Sequence, residues 1–351
     1  MKLCDFDYYL PKELIAQSPL EPRDSSRLMV LGRHIEHRCF SDIVDYFEDG
    51  DTLVLNDSRV IPAKLKGKKR TGGQVEALVV SKSGEGYECL IRGKNIHEGT
   101  KLFLGEFDEP NKNISSFSTG SSKLEATILE VIKNENVSRY LVEFNCNGKL
   151  NDILEKIGEA PLPPYIKKKL EDRNRYQTVY SKEKGSIAAP TAGLHFTNEL
   201  LEGILKKGVN IACVTLHVGL GTFTPVKARN IEAHAMEPEY FSVSAQSADI
   251  INETKGKLIA AGTTTVKALE SSCLDGKVKA NEEFSNLFIY PPYCFKSKID
   301  AMITNFHLPK STLLMLVGAF AGRERLMAAY NEAILNSYRF YSFGDAMLIF
   351  R

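Results

Sequence analysis

Asn198-Glu-Leu-Leu-Glu-Gly-Ile-Leu-Lys-Lys-Gly208-Val-Asn-Ile-Ala-Cys-Val-Thr-Leu-His217-Val-Gly219-Leu-Gly221 begins as one kind of structure and ends as another. Thr197 stands where a helix N-cap belongs, residues 198–207 read as the helix, and Gly208 occupies the C′ position that ends it. Residues 209–218 then form a long apolar run, the pattern of a strand covered on both faces. Helix followed by buried strand is the unit of an α/β architecture. The same alternation recurs downstream, with strands at 257–261 and 299–303 and helices at 266–272 and 311–320. Upstream, apolar strands are predicted at 28–31 and 52–55, with a helix at 40–47 that takes Ser41 as its N-cap.

The texture changes between these parts. From residue 62 to 144 the segments are short and strand-like (75–80, 87–91, 101–104, 124–129 and 138–144) and are separated by Gly, Asn and Ser turns, which predicts a small antiparallel β-barrel. The Ser- and Asn-rich residues 111–122 read as an exposed hairpin tip. The expected division is an α/β domain formed by residues 1–60 plus 151–351, interrupted by a β-barrel domain at 61–150.

Composition narrows the classes. The chain has 351 residues, 43% of them hydrophobic and 25% charged, with 45 Lys plus Arg against 44 Asp plus Glu. Fibrous, disordered and disulfide-scaffold proteins are excluded, and bulk charge is too balanced to coat nucleic acid or membrane. Seven cysteines lie scattered without a CxxC or CxxxC pair, the usage of a reduced compartment. Two aspartates interrupt the amino-terminal ten residues, and the longest apolar run, 313–321, is about half a membrane span. A cytoplasmic protein without membrane attachment is expected.

Several familiar motifs fail. Gly67-Lys-Lys-Arg-Thr-Gly72 lacks the Lys and Ser/Thr of a phosphate-binding loop, and Gly219-Leu-Gly221 lacks the third glycine of a dinucleotide fingerprint. What remains is four loops at strand ends, where open sheets bind ligands. They are Ala188-Ala-Pro-Thr191-Ala-Gly193-Leu-His195-Phe196-Thr197, Leu216-His217-Val-Gly219-Leu-Gly221-Thr222-Phe223, Gly262-Thr-Thr-Thr265 and Thr304-Asn-Phe306-His307-Leu-Pro309. A single histidine at a strand end is more often a hydrogen-bonded structural residue than a catalyst, and Gly-Thr turns are routine caps. Only the convergence of all four favours a pocket. A second constellation is basic: Arg59, Lys64, Lys66, Lys68, Lys69 and Arg70 occur with no acid between them, and Lys167-Lys168-Lys169 with Arg173 and Arg175 follow the barrel. Such runs mark either a solvated face or a grip on a nucleic-acid backbone.

Taken together, Leu14-Ile-Ala-Gln17 with Pro19, Arg23-Asp-Ser-Ser-Arg27, Leu55-Asn-Asp-Ser-Arg59-Val-Ile-Pro62, Arg175-Tyr-Gln-Thr-Val-Tyr180, the 188–197 loop, Thr215-Leu-His-Val-Gly219, Thr304-Asn-Phe-His-Leu-Pro309 and Phe343-Gly-Asp345-Ala-Met347 resemble, over essentially the whole chain, the S-adenosylmethionine:tRNA ribosyltransferase-isomerases of queuosine biosynthesis. Two departures are Glu237, where that family usually has histidine, and Pro292, where glycine is expected. The resemblance implies transfer and isomerisation of the ribosyl part of S-adenosylmethionine (AdoMet) onto 7-aminomethyl-7-deazaguanine at wobble position 34 of a tRNA with a GUN anticodon. The products are epoxyqueuosine-tRNA, adenine and methionine. It implies AdoMet as a consumed co-substrate, no metal, and a monomer. One base and one acid near neutrality suffice for such chemistry. His195 and His217 are the first candidates, followed by His307 and Asp345. Thr191, Gly193, Phe196, Gly219, Gly221 and Thr222 are expected near AdoMet, and Phe196, Phe223 and Phe306 are expected either as stacking faces or, equally, as plain core residues. Arg59, Lys64, Lys66, Lys68, Lys69, Arg70 and Arg175 are expected to meet tRNA. Two readings compete: an α/β enzyme using AdoMet or a dinucleotide on a small molecule, and a non-catalytic RNA-binding protein.

Overall fold

The computed structural model describes residues 1–105, 124–132, 138–146, 149–168, 170–219, 226, 228 and 230–351. The expected hairpin tip at 111–122, and Lys169, Gly221, Thr222 and Phe223, lie outside them. In chain order the protein starts with β1 (Arg27–Leu31), β2 (Ile35–Cys39), β3 (Thr52–Asn56) and β4 (Ser58–Val60). It continues through β5 (Lys64–Lys69), β6 (Gln74–Ser83), β7 (Gly86–Arg92), β8 (Lys101–Leu104), β9 (Leu124–Ile132), β10 (Arg139–Asn145) and helix α1 (Leu150–Ile157). Then come β11 (Glu183–Ser186), α2 (Asn198–Lys206), β12 (Asn210–Leu216), β13 (Glu239–Val243), α3 (Ala245–Asn252), β14 (Leu258–Ala261) and α4 (Thr263–Ser272). The chain ends with the hairpin β15 (Cys273–Leu274) and β16 (Lys277–Val278), then β17 (Asn281–Ser285), β18 (Ala301–Asn305), α5 (Thr312–Ala321), α6 (Arg323–Leu335) and β19 (Ala346–Phe350).

Two compact units result, one of Met1–Val60 with Pro163–Arg351 and one of Ile61–Leu162. In the smaller, six antiparallel strands close into a barrel in the order β10-β7-β6-β5-β8-β9. Its interior is filled by alternate residues such as Leu65, Val75, Ala77, Leu102, Ala126 and Val142, and Leu150 and Leu154 of α1 pack with them. Gly67 is required in β5 because a Cβ there would lie 2.1 Å from the Phe103 carbonyl oxygen.

In the larger unit nine strands run in the order β17-β13-β12-β3-β14-β18-β19-β1-β2. The apolar runs are continuous because each central strand feeds two cores. Val54, Ala212, Val214, Ala260, Met302 and Met347 enter one, with residues of α3 to α6. Leu53, Leu55, Ile259, Ile303 and Leu348 enter the other, with Phe40, Ile43, Leu200 and Ile204. Burying both faces in this way removes the polar–apolar alternation a one-sided sheet would show. The expected helix at 40–47 is a 3-10 helix, Phe40–Tyr46, and Asp42 rather than Ser41 supports its start, accepting the Cys39 N–H at 3.0 Å. The N-cap at Thr197 and the stop at Gly208, whose φ is +82°, are as read.

The register places the functional loops. Strands β12, β3, β14 and β18 are parallel to one another. Strand β19 runs antiparallel to β18, β1 is parallel to β19, and β13 is antiparallel to β12. One edge of the sheet therefore carries, in spatial order, the start of β13, the ends of β12, β3, β14 and β18, and the starts of β19 and β1. Glu239, His217, Asn56, Gly262, Asn305, Asp345 and Ser26 follow along that edge.

Candidate functional site

The edge holds two groups of polar side chains. Strand spacing is about 4.8 Å, so β12 and β18 are separated by three intervals, roughly 14 Å. His217, at the end of β12, and His195, which bonds to the end of β18, are thus not an adjacent pair.

The first group surrounds His195, in the 3-10 turn Thr191–His195. The ring is 4% exposed. Asn305 at the end of β18 accepts the Thr191 hydroxyl on Oδ1 at 2.8 Å. Its amide nitrogen then faces His195 Nε2 at 3.0 Å, and His195 Nδ1 lies 2.7 Å from Ser26 Oγ. Since Nε2 receives an amide N–H, the proton of the neutral ring sits on Nδ1 and is donated to Ser26. Burial first, and then the charges of Arg339, Arg175 and Arg23, push the imidazole down to about 3. Ser26 and His195 form part of the wall of a small pocket whose other lining includes Pro19, Leu20, Arg23, Arg175 and Phe343. Arg23 is held by the carbonyls of Gln177 at 2.9 Å, Asn174 at 3.0 Å and Leu194 at 3.3 Å. Arg175 donates to the Leu20 carbonyl at 2.5 Å and pairs with Glu21.

The second group surrounds His217. Its Nδ1 lies 2.8 Å from Ser58 Oγ, and its ring stacks on Tyr240 with centroids 5.4 Å apart. Burial lowers the imidazole below its ordinary value and Glu183 opposes the shift. Gly185, φ +152°, makes room: a Cβ there would lie 2.5 Å from Nε2 of His217. Nearby, Asn56 ties loops together, donating to the Leu216 carbonyl and Thr264 Oγ1, both at 3.0 Å. The Gly219 N–H donates to Glu239 Oε1 at 2.9 Å, and Glu239 Oε2 pairs with Lys267 at 2.8 Å, with both side chains under 10% exposed.

His307 and Asp345 sit on the same edge in other surroundings. His307 Nε2 lies 2.8 Å from Thr304 Oγ1, the His307 backbone N–H donates to the Tyr330 hydroxyl, and burial pushes the imidazole down to about 3. Asp345 receives the backbone N–H of Arg27 at 2.9 Å and of Arg339 at 2.7 Å, which clamps the start of β1 to the loop before β19. Burial raises its carboxyl and these two bonds oppose the rise.

Phe196 and Phe306 take the core alternative. Both are fully buried; Phe196 packs edge-on against Phe40, and Phe306 sits among Tyr330, Tyr338 and Phe340, so neither ring offers a face to a ligand. Gly193 is explained by packing, because a Cβ there would lie 2.0 Å from the Tyr180 hydroxyl. The basic run is less bare than it reads. Lys64 pairs with Glu76 of β6 and Lys66 with Glu159 beyond α1, each at 2.8 Å, while Lys69 donates to the Lys94 carbonyl. Lys68 is half-buried, Arg70 is exposed, and Arg59 donates to Ser181 Oγ. Ser26, Asn305, Arg23, Gly185, Glu239 and Lys267 are not distinguished individually by the sequence; the first three stand inside the motifs Arg23–Arg27 and Thr304–Pro309, the one signal that points to them.

Among the described residues no group of three or more His, Cys, Asp or Glu is placed to hold a metal ion, and no helix is long and apolar enough to cross a membrane. A family model described as queuosine biosynthesis protein matches residues 3–349. A solved structure of S-adenosylmethionine tRNA ribosyltransferase from Thermotoga maritima is 40% identical, covers 98% of this chain and 99% of its own, and superimposes with a TM-score of 0.53.

Proposed function

Because the chain belongs to the queuosine biosynthesis protein family, we propose that it is an S-adenosylmethionine:tRNA ribosyltransferase-isomerase. The observation that carries this reading is the 40% identity to the Thermotoga maritima enzyme over nearly the full length of both chains. The substrate assigned is 7-aminomethyl-7-deazaguanine at position 34 of tRNA with a GUN anticodon, and the products are epoxyqueuosine-tRNA, adenine and methionine. The protein acts as a cytoplasmic monomer and uses no metal.

The chemistry asks for a base beside the sulfonium, whose charge acidifies the C5′ hydrogens, and for a proton or strong hydrogen bond to adenine as the glycosidic bond breaks. Methionine departs as a neutral thioether and needs little assistance, whereas the incoming amine must be unprotonated. Of the four acid–base candidates, His217 is assigned proton transfer. Its support is a half-buried ring kept neutral at pH 7 and oriented by Ser58 and Tyr240. His195, His307 and Asp345 lie farther along the same end of the sheet, each already engaged in hydrogen bonds within the protein. Thr191 acts through Asn305, and Gly219 through Glu239. The cations at Arg59, Lys64, Lys66, Lys68, Lys69, Arg70 and Arg175 are assigned to the tRNA backbone, where they add affinity without reading sequence.

The test is incubation with AdoMet and tRNA bearing the precursor base, followed by chromatography of bases and nucleosides. Adenine and epoxyqueuosine are expected only when all components are present. S-adenosylhomocysteine with a methylated product, or tRNA binding with no consumption of AdoMet, contradicts the assignment.

A further inference from the structure

His217 stands at the inner end of a row of three rings. Its backbone N–H donates to the Tyr240 carbonyl at 2.9 Å, and Tyr240 is the register partner of Phe284, so the three residues lie side by side across the end of β12, β13 and the edge strand β17. The rings follow the backbone. His217 and Tyr240 stack with centroids 5.4 Å apart, and Tyr240 meets Phe284 edge to face at 5.8 Å. The Tyr240 hydroxyl donates to Glu282 at 3.0 Å, which fixes the middle ring. Exposure rises along the row: His217 and Tyr240 are half-buried, whereas Phe284 is 72% exposed. The other face of these strands is core, where Val214, Leu216, Phe241 and Val243 pack with α3 to α6. On the face of the row, the layer of Phe40, Ile43, Leu200 and Ile204 stops short; among the described residues it takes only Ile211 and Cys213 from β12, both partly buried, and nothing from β13 or β17. A single exposed apolar residue is ordinary on a protein surface, but this one ends a chain of ring contacts that starts at the residue assigned to proton transfer.

We propose that Phe284 is a stacking platform for an unpaired base of the tRNA anticodon loop, the one immediately before or after position 34, while the nucleotide at position 34 is held at His217. The proposal rests on the assigned reaction and on His217 as its proton-transfer group. Phe284 lies two strand intervals from His217, about 10 Å, which is within reach of a neighbouring nucleotide in an unstacked loop. An enzyme that works on one base must separate it from its neighbours, and an aromatic face replaces the stacking so lost without reading sequence. Charge decides which part of the RNA lands here. Asn281–Ser285 carries Glu282 and Glu283 and no cation, and Glu183 is close enough to act on both His217 and Tyr240. Such a surface repels phosphate and leaves an uncharged base as the group that Phe284 holds. The same two glutamates argue against a second copy of this chain, because pairing along the edge of β17 would set acid against acid.

The experiment measures, by fluorescence anisotropy, binding of an anticodon stem-loop RNA carrying the precursor base, intact or with an abasic nucleotide immediately before or immediately after position 34. The proteins are the wild-type chain, Phe284→Ala, Phe284→Leu and Phe284→Trp, with sedimentation velocity and adenine release measured alongside. Loss of one base–aromatic stack is expected to weaken binding by Phe284→Ala about 5- to 150-fold. Phe284→Trp keeps the wild-type affinity, and Phe284→Leu, apolar but without a π-face, falls nearly as far as Phe284→Ala. At one of the two neighbouring positions the abasic nucleotide costs the wild type the same factor and costs Phe284→Ala nothing more, since both changes remove one contact. Losses that multiply at both positions overturn the proposal, as does a Phe284→Leu protein that binds as tightly as the wild type. Unchanged RNA affinity in Phe284→Ala together with dissociation of a dimer assigns the face to a second copy and also overturns it. Adenine release by a wild type that lacks the coupling removes the platform and leaves the reaction standing, whereas the coupling without adenine release does the reverse.

Discussion

Replacing Lys267 by methionine tests how strongly the Gly219 loop is anchored. The ammonium lies 2.8 Å from Glu239, both side chains are under 10% exposed, and the other carboxylate oxygen holds the Gly219 N–H at 2.9 Å. Methionine preserves the volume of the lysine stem but removes a cation from a buried carboxylate. Breaking a buried pair from one side costs about 3–5 kcal/mol, most of it the penalty of the remaining charge. A unit of this size loses about 2–4 °C of Tm per kcal/mol, so thermal unfolding followed by circular dichroism is expected to fall by about 6–20 °C. Removing the charge from both sides in Lys267→Met with Glu239→Gln is expected to recover about 2 kcal/mol relative to the sum of the single changes, since the residues are in contact. A single Lys267→Met change that shifts Tm by less than about 2 °C would refute the view that the pair is desolvated and structural.

Three further outcomes follow from the geometry. Gly185→Ala places a methyl group 2.5 Å from His217 Nε2, inside van der Waals contact; the ring must move, and kcat is expected to fall at least about 100-fold, with the far-ultraviolet spectrum unchanged. His195 and His307 are buried neutral with folded values of about 3 against an ordinary 6.5. The unfolded chain therefore binds more protons below about pH 6.5, and stability is lost as pH falls from there toward 3. Urea midpoints at pH 7.5, 5.5 and 4.5 measure this, and a His307→Gln protein should show a shallower decline. Charge reversal at Lys68, Lys69 and Arg70 together is expected to weaken tRNA binding and reduce the salt slope by about 3, and unchanged affinity at all salt concentrations would remove that face from the interface.

The legibility of the chain in sequence followed the range of the interactions involved. Strand β12 and helix α2 were readable because their signals are local: a Thr cap, a positive-φ Gly and an apolar run that two cores demand. Strand β5 reads as a basic run because its outward residues are lysines, while its inward pattern amounts to Leu65 and Gly67; the acids that neutralise it, Glu76 of β6 and Glu159 after α1, come from distant positions in the chain. The edge strand β17 is unreadable for a related reason, since Asn281–Ser285 carries no apolar alternation. At the candidate site, residue types at strand ends point to one end of the sheet but not to the partnerships along it. Ser26 meets His195 across 169 positions and Asn305 meets it across 110, and no spacing rule spans such distances. Asp345 stands in a matching motif, and nothing in that motif announces that its carboxylate bonds the backbone N–H groups of Arg27 and Arg339.

The central claim is ribosyl transfer, and following two labels in one reaction tests it most directly. With AdoMet labelled separately in the ribose and in the methyl group, the account predicts that ribose label enters precursor tRNA in a one-to-one ratio with adenine released, and that methyl label leaves with methionine. Methyl label found in the tRNA, or adenine released without ribose entering the tRNA, would contradict it.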